Sequence, residues 1–192
     1  MDAAFAQAHR LCVDKIALPE RKNALGQMRH CLSEEGFRAA GQAAKLGVHV
    51  PDTEPKGSRY SVVESAGIFM VRSNVLSHCQ QPRPTVFRRR WSSLNEWLRP
   101  SQIDLFNPSE DGPPKDRMCA MVVTTAGRNG DPQVPMFAGI GIPTADLSTW
   151  ISLTALSDII ALYNKATEQT ETPVDIVDRA VPKLKRRGTD RS

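Results

Sequence analysis

Apolar side chains in the first third of the chain recur at helical spacing. The pattern predicts a helix over residues 2–18, a second over 20–32 and a third over 34–46. Ser33 precedes two glutamates, and this arrangement is typical of the cap that begins a helix. Residues 1–50 are therefore expected to form a helical N-terminal region.

Strand-like patterns follow this region. Residues 59–72 are rich in β-branched and aromatic side chains and are interrupted near Gly67, which indicates two strands joined by a turn. Further along, an Asn-Gly turn separates the apolar runs 118–124 and 134–142, and this spacing predicts a hairpin. The two patterns together predict a sheet.

Two more helical segments are expected beside these strands. Ser92 or Ser93 is suited to cap a short helix that ends before Pro100. A region expected to be helical begins at Pro143, and its helical pattern is clearest over residues 154–167. The predicted fold class is α+β: a mixed sheet with helices, preceded by the helical N-terminal third.

One domain with a tail is the organisation that the length predicts. The mixed core covers residues 51–170 and belongs to the same domain as the helical region, and residues 171–192 form a flexible basic tail. No apolar run reaches the length of about 18 residues that spans a membrane, and the N-terminus lacks a signal-peptide pattern. We therefore expect a cytoplasmic protein without a transmembrane segment. The four cysteines form no C-x-x-C pair, so neither a zinc ribbon nor a redox pair is indicated.

The formal net charge of +4 is concentrated in two segments. Residues 72–99 contain six arginines and one acid, and residues 179–192 contain six basic residues and one acid. Such a surplus of positive charge attracts polyanions. The basic tail is either a nucleic-acid-binding arm or a solubilising end.

The segment 83–91 carries the strongest chemical signal. Four of its first eight residues are arginines, and aromatic rings lie among and after them. Arginine binds phosphate in a bidentate manner, and an aromatic ring gives a base a surface on which to stack. The alternative is a solvated charge run beside two core aromatics. The predicted phosphate-binding residues are Arg72, Arg83, Arg88, Arg89, Arg90, Trp91, Lys185, Arg186 and Arg187.

Two other motifs have competing interpretations. Residues 39–50 resemble the start of a helix-turn-helix, but prolines follow where a recognition helix would have to begin. Gly139 and Gly141 form a G-x-G after a strand, which occurs in phosphate loops. Glycines that let a strand pack closely explain the second motif better.

A family resemblance centres on residues 75–97. An apolar strand leads into Gln80-Gln81-Pro82-Arg83, and Phe87 and a helix containing Trp97 follow. This order resembles the opening box of the ParB/sulfiredoxin superfamily. The whole chain is similar to the oncogenic-suppression type of plasmid fertility-inhibition protein, a branch of small basic bacterial proteins.

The resemblance implies a ParB/sulfiredoxin-like fold and a function directed at DNA. It implies hydrolysis of DNA and of ATP, with ATP and Mg²⁺ as cofactors, to block transfer of DNA through a type IV secretion system. Hydrolysis of DNA commonly uses carboxylates that hold a divalent metal ion. The candidate catalytic residues are Glu64, Glu96 and Asp116, and the metal they would bind is unspecified. For each of them the alternative is a solvated surface acid.

Three functions follow from these observations. The first is a plasmid-encoded inhibitor of conjugal or T-DNA transfer that binds DNA phosphates through its arginines. The second is a non-catalytic inhibitor that docks on a type IV secretion or coupling protein, which would place it peripherally at the inner membrane. The third is a transcription regulator that uses residues 34–50.

Overall fold

Groups of helices alternate with groups of strands along the chain in a computed structural model that describes residues 1–77, 80–98, 116–127 and 130–171. The helices within these ranges are α1 (Asp2–Lys15), α2 (Arg21–Ala43), α3 (Val86–Ser92), a 3-10 helix (Ser93–Leu98) and α4 (Leu156–Glu171). The strands are β1 (Gly47–His49), β2 (Val62–Ser65), β3 (Ile68–Val75), β4 (Met118–Thr125), β5 (Phe137–Pro143) and β6 (Trp150–Ala155). The α+β fold class is therefore confirmed, including the helical N-terminal portion.

The predicted break between a second and a third helix is wrong. Helix α2 runs without interruption through Ser33, which is fully buried in its middle and does not cap anything. Ser33, Glu34, Phe37 and Gly41 are the buried residues of this helix. Their spacing places them on one stripe of the helix, and the interactions of that stripe outweigh the local capping signal at Ser33.

The predicted strand pair around Gly67 is confirmed as the hairpin β2–β3. Its turn consists of Ala66 and Gly67, both with positive φ angles of 47° and 81°. Two central residues in this conformation give a turn whose twist matches that of the flanking strands. A side chain at Gly67 would also collide with the carbonyl oxygen of Asp116, so this position excludes other residues on two grounds.

The sheet follows the order of the chain, β1-β2-β3-β4-β5-β6. Among the described strands, β3 and β4 form the one parallel pair, and the other neighbours are antiparallel. Helix α2 contacts β1, β2 and β3, whereas α3 and the 3-10 helix contact β4. Alternate residues of β3 point to opposite faces of the sheet. Val71 and Val75 pack with Phe87 in the apolar core, whereas Arg72 is hydrogen-bonded to Glu34 of α2.

The segment 86–98 is held on the sheet by buried polar side chains. Asn95 accepts a hydrogen bond from the backbone N–H of Cys119 at 2.7 Å, and its amide donates to the carbonyl oxygens of Cys119 at 3.0 Å and of Pro143 at 2.7 Å. Ser92 donates to the carbonyl oxygen of Ala145 at 2.7 Å. The predicted short helix before Pro100 corresponds to the 3-10 helix, which begins at Ser93. The hydroxyls of Ser92 and Ser93 donate to carbonyl oxygens of α3 and so do not cap it, and α3 itself begins earlier with Thr85 as its cap.

Strand β6 replaces the first part of the predicted helix after Pro143. Residues 150–155 pair with β5, and the helix begins only at Leu156. The two glycines of β5 make this pairing possible, because a side chain at Gly141 would lie 2.6 Å from the ring of Trp150. The interpretation of the G-x-G motif as close strand packing is thereby confirmed.

Residues 47–49 form β1, so the described fold has a strand where a helix-turn-helix needs its recognition helix. The chain divides into two units after Ile159. The second unit begins within α4, where Ile160 and Leu162 are exposed. None of the helices in the described part of the chain combines the length and hydropathy needed to cross a membrane.

Candidate anion-binding site

A cavity of about 290 Å³ opens at the carboxyl end of β3, beside the end of its parallel neighbour β4. The carboxyl ends of parallel strands are a common location for ligand sites in layered folds. The cavity is lined by the first turns of α2, the loop before β2, the end of β3 and helix α3. Its lining residues are Asn23, Gly26, Gln27, His30, Tyr60, Arg72, Asn74 and Arg88.

Arg72 forms the inner wall of this cavity and is only 3% exposed. Its Nε donates to the Oε1 atom of Glu34 at 3.2 Å, and its Nη1 donates to Asn74 at 2.8 Å and to Thr124 at 3.2 Å. Burial lowers the pKa of Arg72 from its usual value, and the carboxylate of Glu34 opposes this change. These partners fix the guanidinium in one orientation, and the positive charge of Arg72 is balanced by Glu34.

Glu34 is a buried acid in the middle of α2. While its Oε1 atom accepts from Arg72, its Oε2 atom accepts the backbone N–H of Ser61 at 2.9 Å. Both oxygens therefore have partners within the fold. This carboxylate connects the helix to β3 and to the loop before β2, which together form three sides of the cavity.

His30 lies one turn before Glu34 on the same helix. Its Nδ1 atom is 3.1 Å from Nη2 of Arg72. Arginine has no acceptor, so Nδ1 of His30 must accept this hydrogen bond, and the ring proton is on Nε2. Burial lowers the pKa of His30, and the positive charge of Arg72 lowers it further, so the imidazole is neutral at pH 7.

Arg88 is the cation without a counterion in this site. Its Nη1 atom donates to the carbonyl oxygen of Arg83 at 2.8 Å, and among the described residues it forms no ion pair with an acid. Burial lowers the pKa of Arg88, while Tyr60 and Glu34 oppose the change and Arg83 adds to it. A partly desolvated cation with spare N–H groups is a favourable partner for an anion.

The aromatic residues near the cavity pack against each other. Tyr60 stacks on Phe87 at 5.0 Å between ring centroids and lies 5.4 Å from His30. Trp91 stacks on Phe69 at 5.2 Å and packs against the apolar core. Arg90 lies 5.9 Å above the ring of Trp91. The structure therefore assigns Trp91 a packing role and leaves Tyr60 as the aromatic residue that lines the cavity.

The remaining predicted cations occupy different places. Arg83, Arg89 and Arg90 are exposed on and before α3, on the same segment as Arg88. Arg72 and Arg88 meet in the cavity, although sixteen positions separate them in the sequence. Three further predicted residues, Lys185, Arg186 and Arg187, lie outside the described residues.

The predicted catalytic carboxylates lie at the other end of the strands. Glu64 pairs across the hairpin with Phe69, and its Oε2 atom lies 3.4 Å from Nε2 of His49. From Phe69 to Asn74 the strand advances five residues, about 17 Å. Asp116 lies two residues before β4, and its carbonyl oxygen lies beside Gly67, at the same end as Glu64.

Glu96 belongs to the 3-10 helix, next to Trp97, whose indole donates to the carbonyl oxygen of Arg117 at 2.7 Å. This contact places Glu96 near the start of β4. Within the described ranges, no three His, Cys, Asp or Glu residues are close enough together to hold a metal ion. The structure thus does not gather the three predicted acids at the cavity.

The cavity itself does not fit Mg²⁺. None of the described residues that line it is acidic, and two of them are arginines. Glu34, the nearby acid, already binds Arg72 and Ser61. Magnesium prefers carboxylate and phosphate oxygens, whereas this cavity offers hydrogen-bond donors. The site therefore fits an anion and does not fit a magnesium ion.

Two neighbouring cavities share Asn74 with the first. One has a volume of about 660 Å³ and is lined mainly by residues 80–84, the Gln-Pro-Arg element of the sequence analysis. The other measures about 190 Å³ and lies against Phe5 and Val75. Asn74 therefore stands at the junction of three cavities, at the exposed end of β3.

Sequence reasoning did not identify Glu34, His30, Tyr60 or Asn74 as site residues. None of the four lies in a recognised ligand-binding motif, so no signal in the sequence marks them as site residues. Comparison of the sequence with protein-family models, with curated proteins and with solved structures gave no match. The function of this site is therefore inferred from its geometry and charge.

Proposed function

We propose that this protein binds DNA through its phosphates, with Arg88 at the centre of the binding surface. The observation that carries the proposal is the partly buried guanidinium of Arg88, which lines a cavity without acids and has no acidic partner among the described residues. A phosphate group would supply the missing negative charge and would accept hydrogen bonds from the spare N–H groups.

The surroundings of Arg88 support this function. Arg83, Arg89 and Arg90 are exposed on the same segment, so the positive charge extends beyond the cavity. Clustered exposed cations attract a polyanion over a distance and contribute contacts with successive phosphates. In this proposal the exposed arginines bring DNA to the surface, and Arg88 binds one phosphate at the cavity.

The biological role in this proposal is the one that the family resemblance implies, inhibition of conjugal or T-DNA transfer. Cleavage of DNA and hydrolysis of ATP stay predictions of the resemblance. The predicted carboxylates lie away from the cavity, so the proposed binding of DNA does not depend on them.

Replacement of Arg88 by glutamine tests the proposal. We expect Arg88→Gln to weaken DNA binding about tenfold, because hydrogen bonds between charged groups contribute about 1.5–3 kcal/mol. The slope of log affinity against log salt concentration should also fall by about one. Fluorescence anisotropy with a labelled oligonucleotide at several salt concentrations measures both quantities.

The matched control is Arg117→Gln, which removes an exposed arginine at the opposite end of β4. It changes the net charge equally, so a general effect of charge would weaken binding to the same extent in both variants. Equal affinities for the two variants would contradict a site at Arg88. Absence of DNA binding by the unaltered protein at low salt would overturn the proposal.

A second candidate function is docking on a secretion component without catalysis. The specific observation in its favour is the exposure of apolar side chains at the start of the second unit, with Ile160 51% and Tyr163 72% exposed. These two residues are three positions apart and therefore lie on one face of the helix, and such a pair suits a protein partner. This function would be favoured if the purified protein did not bind DNA but did bind a purified secretion or coupling protein.

A further inference from the structure

Hydrogen bonds within the fold fix the orientation of two polar side chains that line the cavity, Asn74 and His30. The Oδ1 atom of Asn74 accepts from Nη1 of Arg72 at 2.8 Å and from the hydroxyl of Thr124 at 2.5 Å. Its amide oxygen is therefore already used within the fold, which leaves the NH₂ group to donate. Asn74 thus differs from a freely rotating surface amide, which could present either end to a bound group.

His30 is held in the same manner. Because Arg72 donates to its Nδ1 atom, the neutral ring keeps its proton on Nε2 and can donate it. The cavity therefore combines the cation of Arg88 with donors from Asn74 and His30. Such a set suits an anion with several exposed oxygens.

The groups that remain to bind an anion favour one kind of phosphate. Arg72 donates its N–H groups within the fold, so Arg88, His30 and Asn74 are the groups left to bind the oxygens of an anion. A phosphodiester within a strand carries a sugar on both sides and has two unesterified oxygens. A terminal phosphate monoester carries a sugar on one side only, has three unesterified oxygens and bears about −1.5 to −2 charges at pH 7.

We infer that the cavity binds the terminal phosphate of a DNA strand and thereby distinguishes phosphorylated ends from internal phosphates. The three unesterified oxygens match Arg88, His30 and Asn74, which come from three different elements. The strand would leave the cavity over the exposed segment 83–90. This inference rests on the proposed binding of DNA and specifies which part of the DNA is recognised.

The test compares one short single-stranded oligonucleotide in three forms: with a 5′-phosphate, with a 3′-phosphate and with hydroxyl groups at both ends. We expect one phosphorylated form to bind about tenfold more tightly than the form without terminal phosphate. Anisotropy titrations at fixed salt and pH 7 measure the three affinities. The unphosphorylated strand should retain the weaker binding that exposed arginines provide.

The variant Asn74→Asp gives a sharper version of the test. Aspartate can still accept hydrogen bonds from Arg72 and Thr124, but it replaces the NH₂ donor with a negatively charged oxygen. We expect this variant to lose the preference for the phosphorylated end, so that the ratio of its affinities for the phosphorylated and unphosphorylated strands falls to about one. A urea denaturation curve checks that the variant is folded. Asn23→Ala, which changes a lining residue on α2, is expected to reduce the preference for the phosphorylated strand by less.

The outcomes separate the two proposals. If all three strands bind equally and Arg88→Gln weakens each of them, DNA is bound through internal phosphates and this inference is wrong. If no strand binds, the proposed function itself is wrong. If an unlabelled nucleoside monophosphate displaces the phosphorylated strand at an equal concentration, the occupant is a free nucleotide, which also overturns recognition of a DNA end.

Discussion

Glu34→Ala is expected to lower the free energy of unfolding by about 3–5 kcal/mol, because it leaves a buried guanidinium without its anion. Arg72 is 3% exposed and cannot reach water without disturbing β3. The backbone N–H of Ser61 would lose its acceptor at the same time. Since a domain of this size has a total stability of about 5–15 kcal/mol, much of the protein would unfold in mild denaturant. Urea denaturation followed by circular dichroism measures the difference.

The neighbouring acid Glu35 provides the control for this prediction. It lies on the same helix, carries the same charge and is exposed. Glu35→Ala should change the free energy of unfolding by less than about 0.5 kcal/mol. If the two variants were equally stable, the ion pair between Glu34 and Arg72 would not hold α2 on the sheet.

Asn95→Ala is expected to lower the free energy of unfolding by about 3 kcal/mol or more. The substitution leaves one backbone N–H and two backbone carbonyls without a partner, at Cys119 and Pro143. Asn95 is fully buried, so water cannot replace the lost hydrogen bonds without entering the core. Thermal or urea denaturation measures the loss, and Ser93→Ala in the same 3-10 helix is the exposed control.

The variant Asn95→Asp distinguishes hydrogen bonding from packing at this position. Aspartate has the same shape, but when ionised it cannot donate to the two carbonyl oxygens and would be a buried charge. We expect Asn95→Asp to be at least as unstable as Asn95→Ala at pH 7. Near-native stability of Asn95→Asp would show that the side chain mainly fills space.

The parts of the fold that could be predicted from the sequence are those with local causes. The hairpin around Gly67 is specified by alternating apolar residues and by a turn that glycine favours. The prediction that α2 is two helices is wrong because it treats Glu34 as part of a local helix-capping pattern. The partner of Glu34 is Arg72, which lies 38 positions away, and no local pattern contains that pairing.

The candidate site shows the same limit. The run of arginines includes Arg88 among the predicted phosphate-binding residues. Helical spacing alone could have separated Arg88 from the other arginines of the run. Phe87 and Trp91 mark the face of α3 that packs inwards, and Arg88 adjoins that face, whereas Arg89 and Arg90 are exposed. The roles of His30 and Asn74 depend on hydrogen bonds to Arg72 that form only once α2 lies over β3. Their chemistry could not be inferred before the fold was known.

The parallel pairing of β3 with β4 determines when this site is completed during folding. Consecutive antiparallel strands on either side of that ladder can associate earlier, because at most 12 residues connect them and closing such a loop loses less chain entropy than closing the connection from β3 to β4. The β3–β4 ladder joins segments more than forty residues apart, so we expect it to form after the two meanders. The hydrogen bond from Arg72 to Thr124 crosses that ladder. A phosphorylated DNA end would therefore be bound only by chains that have finished folding.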